Sequence, residues 1–266
     1  MSEHSGRVAV VTGGSRGIGK GIALALSKEG SAVVVHGQTQ EDAEAATAEL
    51  TAAGGRAIAA WGPIDDPATC ESAVAIALER FGQLDTLVTS AGIQRYGDVV
   101  STSLESWNEV FAVNVTGVYL AAKAALPHLR ESPAGSIAII SSVQGVATQD
   151  QVAAYTASKG ALNALARSMA VDEGKFGVRV NSILPGSVDT PMLRASAELF
   201  GGGTAEGTEA MLELWGSGHA LGRVGQPREL GEVVSFVTSP RASFVTGAEI
   251  RVDGGLLARL AAGLPK

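Results

Sequence analysis

The feature that most constrains the fold lies near the N-terminus. Val8-Ala9-Val10-Val11 is a short unbroken apolar run, the pattern of a strand buried on both faces of a parallel sheet. Thr12-Gly13-Gly14-Ser15-Arg16-Gly17-Ile18-Gly19 follows without a gap. A segment with apolar residues at helical spacing, Ile22, Ala23 and Leu26, then runs to Gly30. Strand, glycine turn and helix in that order form a phosphate cradle. Glycines let the backbone approach a pyrophosphate, and the helix N-terminus offers N–H groups and the positive end of its dipole. A glycine string alone says little; in this context it marks a dinucleotide site. Its spacing is G-x-x-x-G-x-G rather than G-x-G-x-x-G.

The rest of the chain keeps the same rhythm. Strands are predicted over 32–35, 57–60, 84–88, 136–140, 178–184 and 248–252, and helices over 41–53, 67–80, 104–129, 153–173 and 223–238. This alternation predicts an α/β fold: one doubly wound, Rossmann-type sheet of seven parallel strands flanked by helices, in a single domain. Residues 7–92 form the dinucleotide-binding half, residues 93–255 the catalytic and substrate half, and residues 187–220 a lid. Ligands of such sheets lie at the carboxyl ends of the strands. The small residues Ser90, Ala91 and Gly92, after the fourth strand, therefore line the cofactor.

An NAD site places an acidic residue near the end of the second strand, on the ribose hydroxyls. Here that stretch reads His36-Gly37-Gln38-Thr39, with no carboxylate before Glu41. Arg16, in the glycine loop, would face a 2′-phosphate instead. The expectation is NADP(H) in preference to NAD(H), with Gly13, Ser15, Arg16, Gly17, Ile18, Gly19 and Gln38 around the cofactor. His36 is placed at the adenosine rim.

The chemistry is carried by Tyr155-Thr156-Ala157-Ser158-Lys159. Positions four apart share one helix face. A free tyrosine, with a pKa of ~10, is a poor base at neutral pH, and a neighbouring ammonium favours the phenolate. Tyrosine and lysine at this spacing also occur by chance on exposed helices. Asn114, amid apolar neighbours, reads equally as a satisfied core amide or as a functional group. Ser141 and Ser142 close the fifth strand.

Composition narrows the remaining classes. The net charge is −7 with no basic block, so nothing invites a nucleic-acid backbone. The single cysteine, Cys70, forms no internal disulfide and no metal cluster, and reads as buried packing. No metal site is expected. The polar stretch 1–7 has no signal-like apolar core, and no run reaches the roughly 20 apolar residues of a span. The expected location is the cytoplasm, with no membrane partner.

Together these motifs make the chain resemble the classical short-chain dehydrogenases/reductases over nearly its whole length. The family's glycine motif matches Thr12, Gly13, Gly17 and Gly19. Its catalytic asparagine, serine, tyrosine and lysine match Asn114, Ser142, Tyr155 and Lys159. Ser142 is chosen over Ser141 because it precedes the tyrosine by the family's usual thirteen residues. Pro185, Gly186, Val188 and Thr190 match the segment that flanks the nicotinamide. Two departures stand out. The family's Asn-Asn-Ala-Gly is here Thr89-Ser90-Ala91-Gly92, and the aspartate after its third strand aligns with Pro63. Ile64 is left as the residue to pack on the adenine.

The resemblance implies hydride transfer between a nicotinamide and a substrate carbon. Tyr155 is then the proton donor or acceptor, and Lys159 lowers its pKa and holds the ribose. Ser142 bonds the carbonyl oxygen, and Asn114 supports a water relay. A small or cyclic ketone or secondary alcohol fits walls built from Gln94, Tyr96, Gln144, Gln149, Val152, Met192 and Trp215. The mobile Gly201-Gly202-Gly203 run would sit in the lid. The alternatives are an NAD-dependent dehydrogenase of a sugar, polyol or cyclic alcohol, and a non-catalytic sensor that keeps the cofactor. An extended epimerase is disfavoured by chain length and glycine spacing. Family likeness also implies a homotetramer, with helices 104–129 and 153–173 at one interface and the apolar tail Leu256-Leu257-Ala258-Arg259-Leu260 against a neighbour.

Overall fold

The first strand, β1 (Val8–Thr12), is buried along its whole length. Its side chains alternate between two cores, as period-two geometry requires. Val8 and Val10 enter one hydrophobic cluster, Ala9 and Val11 the other. The structure, a computed structural model, describes residues 4–259; Leu260 of the apolar tail lies outside them. The first half continues with α1 (Gly17–Lys28), β2 (Ala32–Gly37), α2 (Gln40–Ala52), β3 (Arg56–Trp61), α3 (Pro67–Phe81) and β4 (Thr86–Thr89). The second half adds α4 (Leu104–Phe111), α5 (Gly117–Leu129), β5 (Ser136–Ile140), α6 (Ala153–Glu173), β6 (Arg179–Pro185), α7 (Pro191–Phe200), α8 (Ala205–Gly218), α9 (Pro227–Thr238) and β7 (Glu249–Val252).

All strands join one parallel seven-stranded sheet in the order β3-β2-β1-β4-β5-β6-β7. One face is covered by α3, α5 and α6, through residues such as Val74, Ala121 and Leu162. The other is covered by α1, α2 and α9, through Ile22, Leu50 and Val234. The result is a single Rossmann-type domain. The order reverses between β1 and β4, so a crevice opens at their carboxyl ends, where such sheets bind ligands.

Three elements differ from the sequence reading beyond shifts of a residue or two at their ends. The helix expected over 104–129 is interrupted by a π turn, Ala112–Thr116. The wider turn carries Asn114 towards the loop after β4, where its amide takes both backbone groups of Ile93. By length and composition the stretch Leu104–Leu129 is long and apolar enough to cross a membrane, which corrects the expectation that no run is. Here its inner face, Val118, Ala122 and Leu129 among others, belongs to the core.

The Gly201–Gly203 run is a turn between two helices rather than a loose stretch. The N–H groups of Gly201 and Gly203 close the end of α7 on Ala197 O (2.7 Å) and Glu198 O (2.9 Å). The Thr204 hydroxyl then accepts the Gly207 N–H at 3.0 Å to start α8. Finally, α9 begins at Pro227 and not at 223. Proline at the first helical turn is preorganised, and the Glu229 carboxylate accepts the Gln226 N–H at 2.7 Å.

Candidate active site

The two halves meet in a cleft of about 1170 Å³ at the carboxyl end of the sheet. On the first-half side it is floored by the loop from β1 into α1. Gly13 takes a positive φ of 63°, and a Cβ there would lie 2.6 Å from Ala91 N. Only glycine lets these two backbones meet, which leaves the cradle open for a phosphate. Ser15, Arg16, Gly17, Ile18, Gly19, Gln38, Ser90, Ala91 and Gly92 line the same wall. A nicotinamide dinucleotide suits this donor set, with a helix N-terminus behind the loop.

Two residues expected at the cofactor are elsewhere. His36 is 2 % exposed and does not line the cleft. Its Nδ1 accepts the Gly13 N–H at 3.4 Å, and its Nε2–H donates to Gly62 O at 3.1 Å. It braces the glycine loop from behind, and burial pushes its pKa down, so the ring stays neutral. Ile64 is also buried, in the core with α3 and α5. A Cβ on Gly117 would meet its side chain at 2.9 Å. Its side chain is spent on packing, not turned to the adenine position. Arg16 lines the cleft as expected, but its guanidinium is paired with Asp42. The Thr39 hydroxyl donates to the same carboxylate at 2.7 Å. Thr39 first and Arg16 second hold the Asp42 carboxyl below its ordinary range.

The second-half wall is built by β5 and α6. Helix α6 starts at Ala153, so Tyr155 and Lys159 sit one turn apart in its first turns. Ser142, at the end of β5, has extended backbone, and its Oγ accepts the Gln144 N–H at 3.1 Å. Lys159 is 5 % exposed. Its Nζ donates to Ile140 O at 3.0 Å and lies 5.4 Å from the centre of the Tyr155 ring. Ser142, Tyr155 and Lys159 all face the cleft.

Burial dominates the protonation of this pair. It pushes the Tyr155 hydroxyl up to about 12, and the hydrogen bond with Ser142 pulls the other way. It pushes the Lys159 ammonium down to about 8. The sequence reading has the lysine lowering the tyrosine's pKa; in this structure the direction is upward, because desolvation of the buried hydroxyl outweighs the Ser142 hydrogen bond.

Asn114 is fully buried and does not line the cleft. Its Oδ1 accepts the Ile93 N–H at 2.8 Å, and its Nδ2 donates to Ile93 O and Ser158 Oγ, both at 3.0 Å. Ser158 Oγ in turn donates to Tyr155 O at 2.7 Å. Asn114 thus ties the loop after β4 to the start of α6. Both ends of its amide are committed.

The rest of the cleft is mixed. Pro185, Gly186, Val188 and Thr190 form its edge after β6, and Gln94, Tyr96, Gln144, Gln149, Met192 and Trp215 line it as expected, whereas Val152, expected on the same wall, is buried away from the cleft. Pairing of Gly97 with Val152 brings the Gln94–Tyr96 and Gln149 loops together. A smaller cavity of about 310 Å³ lies behind Gln94, Tyr96, Met192 and Leu199.

Sequence reasoning missed Glu109, Val143, Thr148, Leu256 and Leu257, which also line the cleft. Glu109 is held by Arg95 in a two-point contact at 2.9 and 2.5 Å. Nothing in the local pattern at Glu109 distinguishes it from an outward-facing helical carboxylate. The family resemblance places Leu256 and Leu257 against a neighbouring subunit; in this structure they also line the cleft of their own chain. Among the described residues no group of His, Cys, Asp and Glu is arranged to hold a metal.

A family model described as enoyl-(acyl carrier protein) reductase matches residues 13–257. The chain belongs to the short-chain dehydrogenase/reductase family. Within that family, the 2,5-dichloro-2,5-cyclohexadiene-1,4-diol dehydrogenase of Sphingobium indicum is 36 % identical over 251 residues, covering 94 % of this chain and 96 % of that protein. The 3-alpha-(or 20-beta)-hydroxysteroid dehydrogenase of Mycobacterium tuberculosis is 38 % identical over 258 residues, covering 96 % and 91 %. The ligand-free structure of Thermoplasma acidophilum aldohexose dehydrogenase matches with a TM-score of 0.90 at 33 % identity, covering 100 % of this chain and 99 % of that one. As a short-chain dehydrogenase/reductase, the protein is an NAD(P)-dependent oxidoreductase.

Proposed function

We propose that the protein interconverts a small or cyclic ketone and its secondary alcohol with NADP(H), Tyr155 giving or taking the proton. The observation that carries this reading is the convergence of Ser142, Tyr155 and Lys159 on one wall of the cleft, facing the glycine loop. The bound cofactor supplies or accepts the hydride. Tyr155, protonated at neutral pH, donates to the carbonyl oxygen in reduction; in oxidation its phenolate, formed once its own proton has passed to solvent by way of Lys159, takes the hydroxyl proton. The Ser142 hydroxyl donates to the same oxygen as charge develops there. Lys159, its pKa lowered by burial to about 8, would hold the ribose next to the tyrosine and return a proton to it. Asn114 acts by position, fixing Ile93 and the start of α6.

The relatives' names support a hydroxylated ring as substrate: one is a cyclohexadienediol dehydrogenase, another a hydroxysteroid dehydrogenase. A second reading has specific support. With Arg16 engaged by Asp42, the case for a 2′-phosphate weakens. Gln144 Oε1 is buried without a partner, which a second substrate hydroxyl would relieve. Both observations favour an NAD-dependent dehydrogenase of a cyclic alcohol, polyol or sugar. The exposed apolar residues Tyr119, Val171 and Phe176 on α5, α6 and the turn after it support a homotetramer, and we place the enzyme in the cytoplasm.

The test is Tyr155→Phe, assayed on a panel of cyclic ketones and alcohols with each cofactor. Turnover should fall by about 10²–10⁴-fold while NAD(P)H affinity, followed by nicotinamide fluorescence, stays within about threefold. Retained turnover removes Tyr155 from the mechanism. Cofactor binding with no turnover in either protein favours the sensor. In the wild type, NADPH binding at least tenfold tighter than NADH, about 1.4 kcal/mol, supports the first reading; the reverse supports the second.

A further inference from the structure

His219 stands just past the end of α8 and is 2 % exposed. It does not line the cleft, yet it joins two residues that do. Its Nε2 accepts the Ser187 N–H at 3.1 Å, and its Nδ1–H donates to Trp215 O at 2.9 Å. Because the Ser187 amide can only donate, Nε2 must be bare and Nδ1 must carry the proton. The ring lies against Gly186 and Gly254; a Cβ on Gly186 would meet Nε2 at 2.8 Å.

The same strip of chain continues the grip. Gly225 N–H donates to Ser187 O at 2.8 Å, and Asp189 N–H donates to Gly225 O at 2.9 Å. Residues 187–189 therefore have their backbone groups held by the segment that follows the lid, with His219 supplying the acceptor at one end. Among the described residues the Ser187 N–H has no other acceptor, and a part-buried amide left without one costs free energy.

We infer that His219 is a positioning residue that locks the 185–190 loop to the base of lid helix α8, so that affinity for the nicotinamide half of the cofactor depends on this ring. The inference rests on the dinucleotide reading above. A loop held in its binding conformation avoids the ordering cost that a free loop meets on binding. The adenosine half would lie on the β1–α1 and β2–α2 side of the cleft and should not feel the change.

Two polar substitutions separate this role from a general packing role. Gln reaches the place of Nε2 and keeps an acceptor for Ser187. Asn reaches only the place of Nδ1 and leaves that amide orphaned. NADH and NADPH binding would be followed by nicotinamide fluorescence, and ADP-ribose, which lacks the nicotinamide, by calorimetry. For His219→Asn we expect NADH and NADPH to weaken by at least tenfold, with ADP-ribose within threefold of wild type. His219→Gln should restore both dinucleotides to within threefold.

Unchanged NADH and NADPH binding in His219→Asn overturns the inference. Equal weakening of all three ligands also overturns it, because the ring would then support the whole site. Should His219→Asn fail to fold, equal loss of dinucleotide binding in His219→Gln would do the same. A wild-type protein that binds neither dinucleotide sinks the dinucleotide reading itself, and this inference with it.

Discussion

Arg16 shows how one side chain's meaning depends on its neighbour. Its place in the glycine loop points to a 2′-phosphate. The structure adds Asp42, on the first turn of α2, as a competing anion already in contact with it. An exposed pair of this kind is weak and screened by salt, so a phosphate can displace it at modest cost. Asp42→Asn should therefore tighten NADPH binding by about two- to fivefold at low salt and leave NADH within twofold. Fluorescence titration of both cofactors checks this. If NADPH affinity does not move, Arg16 is not a 2′-phosphate partner. His36 makes the same point in reverse. Its type and position suggested the adenosine rim, and only its two bonds to Gly13 and Gly62 show a brace.

At the scale of elements, the π turn Ala112–Thr116 is the least expected piece of backbone. A residue added to a helical turn is uncommon and tends to sit at functional sites. Here its use is visible: it lets the Asn114 amide satisfy both backbone groups of Ile93, in the loop after β4. Asn114→Ala leaves those groups unpaired in a part-buried place. It should cost about 2–3 kcal/mol and lower the melting temperature by about 5–10 °C, read by thermal unfolding of the cofactor-free protein. A melting temperature within 1 °C of wild type would show that solvent replaces the amide freely.

Most elements were legible in the sequence because most strands are short apolar runs, several of them rich in valine and isoleucine, and most helices keep an apolar period. Helix 153–173 was placed to the residue, since its apolar stripe is uninterrupted. The π turn was not, because Val113-Asn114-Val115 fits a plain helix equally well, and the reason for the bulge lies some twenty residues away at Ile93.

At the scale of the molecule, α1 of the first half packs closely against α9 of the second. Gly21 and Gly231 lie at their closest approach. A Cβ on Gly21 would sit 2.5 Å from the backbone of Pro227, and one on Gly231 would sit 2.6 Å from Gly21 O. The helices touch backbone to backbone, which seats the glycine loop against the sheet's second half. Gly21→Val must push them apart. It should destabilise the fold by about 1–3 kcal/mol and weaken NAD(P)H binding, because the start of α1 moves with it. Unfolding curves and cofactor titration of the variant read both effects, and a stability equal to wild type would mean that α9 yields without cost.

By itself the sequence determined the parallel seven-stranded fold and the glycine turn into α1, and it put Tyr155 and Lys159 on one helix face; the choice of Ser142 came from the family resemblance. The first three depend on local patterns: buried strand runs, a glycine turn before a helix, and spacing along one helix face. Only the tertiary structure decided that His36 and Ile64 face inward, that Arg16 meets Asp42, that Leu256 and Leu257 line the cleft, and that His219 joins lid to loop. Those outcomes turn on residues from distant segments competing for the same space and the same hydrogen-bond partners, and no local pattern encodes which of them meet.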